Sequence, residues 1–147
     1  MSIPVDRIIN SAAIVSVFGR WPSFHDAEVL RLELFRQIDA PFGPALVAEI
    51  HVFSMTSKVD ERGYFVLENH SIVVLKFDGV DNLELDGFNH QNALSGLGIA
   101  EAGAEGMFEV HFDPEYGVES QFKCRSIEVV SVTPGLPPAG VYARAKA

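Results

Sequence analysis

Five histidines and one long acidic run are the residues of this chain whose types and spacing could do chemistry. His25, His51, His70, His90 and His111 could each offer a ring nitrogen to a metal or move a proton near neutral pH. None falls into H-x-x-x-H, H-E-x-x-H or H-x-H spacing, and none stands at ligand spacing from the single cysteine, Cys124. A metal site would have to be assembled in space from separate strands, so no metal ligand and no cofactor is assigned. Phe24-His25-Asp26-Ala27-Glu28 is the densest cluster. A histidine beside carboxylates can serve as a general base held in one tautomer. Successive residues of a strand face opposite ways, so strand geometry starting here would separate His25 from Asp26 and put Asp26 with Glu28. His25 and Asp26, with His90 of the polar FNHQN loop, make up the one polar site the sequence offers. The plainer reading is a strand entry that pairs with Arg20 or caps a loop.

Other chemistry finds no support. Asp78–Asp86 (DGVDNLELD) has acids at short intervals but misses the calcium-loop register, because Gly and Val follow Asp78 and Asp81 falls one place late. Cys124, in FKCRS, shares a strand face with Phe122 and reads as a buried structural thiol. There is no G-x-S-x-G, Walker loop or G-x-G-x-x-G, so no catalytic residue is assigned and the chain reads as a non-enzymatic binding protein.

The acidic run is the most informative feature. Net charge is −9, from 11 Lys+Arg against 20 Asp+Glu, which excludes nucleic-acid binding through a basic patch. Between Lys76 and Lys123 there is no Lys or Arg, while Asp78, Asp81, Glu84, Asp86, Glu101, Glu105, Glu109, Asp113, Glu115 and Glu119 supply ten of the twenty acids. The plain reading is a solvated surface that keeps the protein soluble. The sharper one is a surface that steers and docks a basic protein partner. Its contact residues would be Asp78, Asp81, Glu84, Asp86, Glu101 and Glu105.

Positioning those residues falls to a mixed set of elements. Val5, Ile8, Ile9, Ala12 and Val15 recur at helical spacing, predicting a helix over Val5–Val17 with Gly19 as its C-cap. The period then drops to two. Asp26–Arg36 and Ala45–Met55 predict a hairpin, SKVDERG a polar turn, and Ser71–Phe77 a central strand covered on both faces. Asn82–Asp86 predicts a short strand, Asn89–Leu97 a helical turn, Met107–Phe112 a strand and Asp113–Gly117 a turn. Val118–Val132 reads as one bent strand or two, kinked at Arg125-Ser126. The expected fold is α+β: a curved, mainly antiparallel sheet of six to eight strands with the N-terminal helix packed on it. Residues 1–133 would form a single domain and 134–147 a Pro/Gly-rich tail.

At 147 residues and 48% hydrophobic, the chain can close one core without disulfides. One cysteine permits no internal disulfide, and no segment approaches the roughly 20 apolar residues of a membrane span, so a cytoplasmic location is expected.

Three segments then carry a resemblance: FGRWPSFHDAEVLRLEL (Phe18–Leu34), GFNHQNALSGLGI (Gly87–Ile99) and CRSIEVVSVTPG (Cys124–Gly135). In order and texture the chain resembles the immunity protein 50 family of bacterial polymorphic toxin systems. The resemblance implies an α+β protein that binds and neutralises a cognate toxin, and it implies no particular contact residues. It fits the acidic run, since a nuclease toxin has a basic substrate surface that an acidic protein can block. Two other readings stand beside it. One is a small-molecule-binding or enzymatic domain using His25, Asp26 and His90; the other is a self-associating structural subunit paired through exposed strand edges.

Overall fold

Period-two alternation runs through most of the chain and builds eight strands: β1 (Glu28–Phe35), β2 (Ala45–Val59), β3 (Phe65–Asp78), β4 (Asp81–Asp86), β5 (Ala93–Ala102), β6 (Met107–Tyr116), β7 (Glu119–Cys124) and β8 (Ser126–Pro134). The computed structural model describes residues 3–37, 43–103 and 106–137. The strands form one sheet in the order β4-β7-β6-β5-β1-β2-β3-β8, antiparallel throughout. This is the expected mainly antiparallel sheet, at the upper end of the expected strand count.

The two ends of that order are continuous with each other. β3 passes into β4 through Gly79 and Val80, and β7 into β8 through Arg125. Asp78↔Ser126 and Asp81↔Lys123 keep one register across the break. The Arg125 N–H donates to the Asp78 carbonyl at 2.8 Å, so the ladder survives the corner. Gly79 makes that corner possible: its φ is +65°, and a Cβ there would stand 2.8 Å from the Arg125 stem. One long ribbon thus bends to serve both ends of the sheet and curls it around its apolar face. Inside the curl, Phe77 of β3, Phe112 of β6 and Phe122 of β7 meet with ring centroids 5.1–6.1 Å apart. All three are buried, and they join the two halves of the sheet.

The single helix expected over Val5–Val17 is instead a 3-10 turn, Val5–Arg7, and a short helix α1, Ala12–Phe18. Between them Ile9 lies extended along β8. Its N–H donates to the Ile127 carbonyl at 2.8 Å, and its own carbonyl accepts the Val129 N–H at 2.9 Å. β8 ends the sheet, so its outer backbone groups need partners, and that demand overrides the helical period. The expected cap holds: Gly19, at φ +78°, donates its N–H to the Val15 carbonyl. α1 packs against β8 and β3, with Ile14 in the core.

β3 departs from its expected burial. Val73, Leu75 and Phe77 are fully buried, whereas Ile72 and Val74 on the outer face are only half-buried. The β2–β3 hairpin is also longer than the polar turn suggested. Its turn is confined to Asp60–Gly63, where the Asp60 carboxylate accepts the Arg62 and Tyr64 N–H groups at 2.9 and 3.0 Å. The helical turn expected at Asn89–Leu97 does not form, and the turn expected at Asp113–Gly117 begins later, because β5 and β6 pair as far as Ala93↔Tyr116. The kink at Arg125 is observed. Pro134 closes β8, and most of the Pro/Gly-rich segment after it lies outside the described residues.

Candidate functional site

Two groups of polar side chains are gathered by this architecture. The first covers the outer face of β4, β7 and β6. Directly paired residues share a face, and here Glu84 pairs with Gln121 and Gln121 with His111, Asp86 with Glu119, and Lys123 with Glu109. Gly96 opposite Asp113 and Gly98 opposite His111 extend the surface onto β5 without side chains. Phe108, Val110, Phe112 and Phe122 point the other way into the core. The outer face therefore carries Glu84, Asp86, Glu109, Asp113 and Glu119 against Lys123 and His111. His111 Nε2 lies 3.2 Å from Glu109 Oε1. Two adjoining shallow clefts of about 290 and 480 Å³ make the surface uneven.

Of the six acids read from the sequence as contacts, Glu84 and Asp86 lie on this face and Asp81 stands exposed at the start of the same terminal strand. Asp78 does not join them. It is 6% exposed at the corner, 3.6 Å from Lys76 Nζ, and accepts a hydrogen bond from Gln37 Nε2 at 3.1 Å. Glu101, on β5, is paired with Arg7 at 3.0 Å. Glu105 lies outside the described residues. Glu109, Asp113 and Glu119 take the places left, and their odd-numbered spacing on strands of period two is the signal that could have grouped them.

The second group is His25, Asp26 and Glu115. β1 begins only at Glu28, so the segment before it is a turn, with Phe24 at φ +62° and Asp26 at φ +65°. Two non-glycine residues in the left-handed region bring His25 and Asp26 to one side, where strand geometry would have parted them. The turn is anchored to β5: the Asp26 N–H donates to the Leu94 carbonyl at 2.9 Å and the Leu94 N–H to the Ala27 carbonyl at 2.8 Å. β5 has register shifts on both sides of Leu94, and Ser95 falls at the second. The Ser95 carbonyl lies 3.1 Å from His25 Nδ1. The same irregular stretch pairs with the end of β6 and delivers Glu115. His25 Nε2 stands 3.6 Å from Asp26 and 3.9 Å from Glu115.

The charges fit that packing. The Ser95 carbonyl, then the Asp26 carboxylate, raise the His25 pKa above its ordinary value. Glu115 is raised as well, first by its hydrogen bond with Asp26. Asp26 and Glu115 also line a cleft of about 290 Å³, shared with Glu28, His51, Phe53, Met55, Leu67, Gln91, Ala93 and Tyr116. His90 is not in this group; it is exposed on the loop before β5. That loop is held by Asn92, whose Oδ1 accepts the Asn89 and Val118 N–H groups at 2.9 and 3.1 Å and whose Nδ2 donates to the Asn89 carbonyl at 2.8 Å.

Both groups fall within a wider similarity. The family model described as Immunity protein 50 matches residues 10–135 of the 147, a span that takes in α1 and all eight strands. The chain belongs to the immunity protein 50 family. No curated protein and no solved structure matches it. In this immunity protein 50 chain, no helix among the described residues is long and apolar enough to cross a membrane. Cys124 is fully buried, as expected of a structural thiol.

Proposed function

We propose that this chain neutralises a cognate bacterial toxin in the cytoplasm by binding it stoichiometrically, without catalysing a reaction, and that the outer face of β4, β7 and β6 receives a basic surface of the toxin. Family membership supplies the protein partner. The observation that carries the choice of face is its charge: Glu84, Asp86, Glu109, Asp113 and Glu119 against one lysine. Exposed Asp81 adds to the same edge. Such a field raises the encounter rate with a basic partner and repels acidic ones. Carboxylates at strand spacing can also stand where a nuclease would hold phosphates. Asp78 and Glu101 are engaged by Lys76 and Arg7 and are given no contact role.

The test is co-expression with the cognate toxic domain, identified by co-purification with the chain from its native host. Wild type should restore growth. The triple variant Glu84→Lys, Glu109→Lys, Glu119→Lys should fold, because all three side chains lie on the solvent-facing side, and should fail to protect. Full protection by the folded triple variant would place the interface elsewhere.

A further inference from the structure

We infer that His25, Asp26 and Glu115 form a binding site for one divalent transition-metal ion of the Zn²⁺ and Ni²⁺ class, at the rim of the cleft that His51 helps to line. Its three residues are not among those proposed to contact the toxin, and it does not rest on that proposal. The three residues offer one imidazole nitrogen and two carboxylate oxygens, all within 4.8 Å of one another. They form the one group of three such donors among the described residues. Ligands bonded at about 2.0–2.2 Å to a tetrahedral ion stand roughly 3.3–3.6 Å apart. The separations of 3.6 Å from His25 Nε2 to Asp26 and 3.9 Å to Glu115 stand at or just above that range, and Glu115 is exposed and able to move inward.

The surroundings suit a metal in two further ways. With Nδ1–H donating to the Ser95 carbonyl, His25 presents the lone pair of Nε2 to the carboxylates, the outer-partner arrangement that orients metal-bound histidines. Backbone bonds hold the two main-chain segments that carry His25, Asp26 and Ser95 against each other, so the backbone beneath two of the donors is set before binding. Three protein ligands leave a fourth position, and the cleft of about 290 Å³ beside Asp26 and Glu115 can supply it with water or a small anion. The mixed nitrogen and oxygen set favours Zn²⁺ or Ni²⁺ over Mg²⁺, which takes oxygen ligands.

The experiment is calorimetric titration of the full chain with ZnCl₂ and with NiCl₂ at about pH 7.5. One ion per chain should bind. Affinity should fall about tenfold or more in His25→Gln and in Glu115→Gln, a loss on the scale seen when even an outer partner is removed. His111→Gln is the control, since His111 and Glu109 offer a similar pair on the acidic face. It should leave affinity within about twofold, and a large excess of MgCl₂ should not displace the ion. Native NMR should show His25 ring signals broadened by Ni²⁺ in wild type. Both variants change exposed side chains, so an unchanged far-UV spectrum keeps the comparison valid. Absence of stoichiometric binding overturns the site. So does equal weakening by His111→Gln, or undiminished binding in the His25→Gln, Glu115→Gln double variant, each of which means adventitious ions only. Any of these results leaves the toxin-binding proposal standing, because that proposal is tested at other residues, Glu84, Glu109 and Glu119.

Discussion

Acid should destabilise this fold through one histidine. His51 is 1% exposed, stacks on His70 with centroids 5.2 Å apart, and has its Nε2 3.0 Å from His70 Nδ1. Burial first, and the neighbouring His70 second, push its pKa from 6.5 down to about 4. Below pH 6.5 the unfolded chain takes up a proton at this position that the folded chain refuses. The stability His51 contributes is therefore complete above its unfolded pKa and is lost as pH falls toward its folded value. With pKa values of 6.5 and about 4, going from about pH 7.5 to about pH 5 removes about 2 kcal/mol. His25 and Glu115, both raised, act in the opposite sense: each contributes stability at low pH that is lost as pH rises through its folded pKa. They are present in both proteins compared, so they cancel. Urea unfolding of wild type and His51→Gln at the two pH values is the assay. Wild type should lose about 2 kcal/mol more than the variant over the same interval. An equal loss in both would refute the reasoning, because another group would then carry the acid sensitivity.

Two further outcomes follow from single buried groups. The Cys124 thiol, fully buried and with its pKa pushed up to about 12 by burial and then by Asp78, should resist thiol reagents in the folded protein and react once in denaturant. Rapid labelling of the native chain would contradict its placement. Asn92→Ala removes three hydrogen bonds and leaves the Val118 N–H buried without its partner, at a cost of roughly 2–4 kcal/mol in urea unfolding; a loss under ~1 kcal/mol would show that the loop before β5 is held by other contacts.

How much of this was legible in the residues depends on whether local pattern or distant pairing decides each element. β2 could be read directly, because Leu46, Ala48, Ile50 and Val52 alternate without interruption and all four are buried. The β1–β2 hairpin followed from the same period, although a bulge between Val29 and Arg31 shifts the phase within β1. The N-terminal helix misled because its apolar spacing is genuine, yet Ile9 is claimed by the free edge of β8, more than a hundred residues away. The Gly87–Ile99 stretch misled because Gly96 and Gly98 look like breakers, whereas in β5 they are the unencumbered side of a strand facing Asp113 and His111. The His25 cluster was half visible. FHDAE drew notice as a sequence, but Glu115 reaches it only through the register shifts of β5 against β6, and no local pattern encodes those. Asp78 was grouped with its acidic neighbours by sequence and withdrawn from them by the corner it helps to form.

Docking of a toxin on the carboxylate face of β4, β7 and β6, as proposed above, would show itself in the kinetics of association. The rate constant for binding the toxic domain that co-purifies with the chain should be measured from about 50 to about 500 mM salt, a range over which the screening length shrinks severalfold. For wild type the association rate should fall steeply as salt rises. Glu84→Lys with Glu119→Lys should lower it at low salt and flatten its salt dependence, with a smaller change in dissociation. A wild-type rate indifferent to salt, or a charge-reversed chain that associates as fast as wild type, would contradict the account.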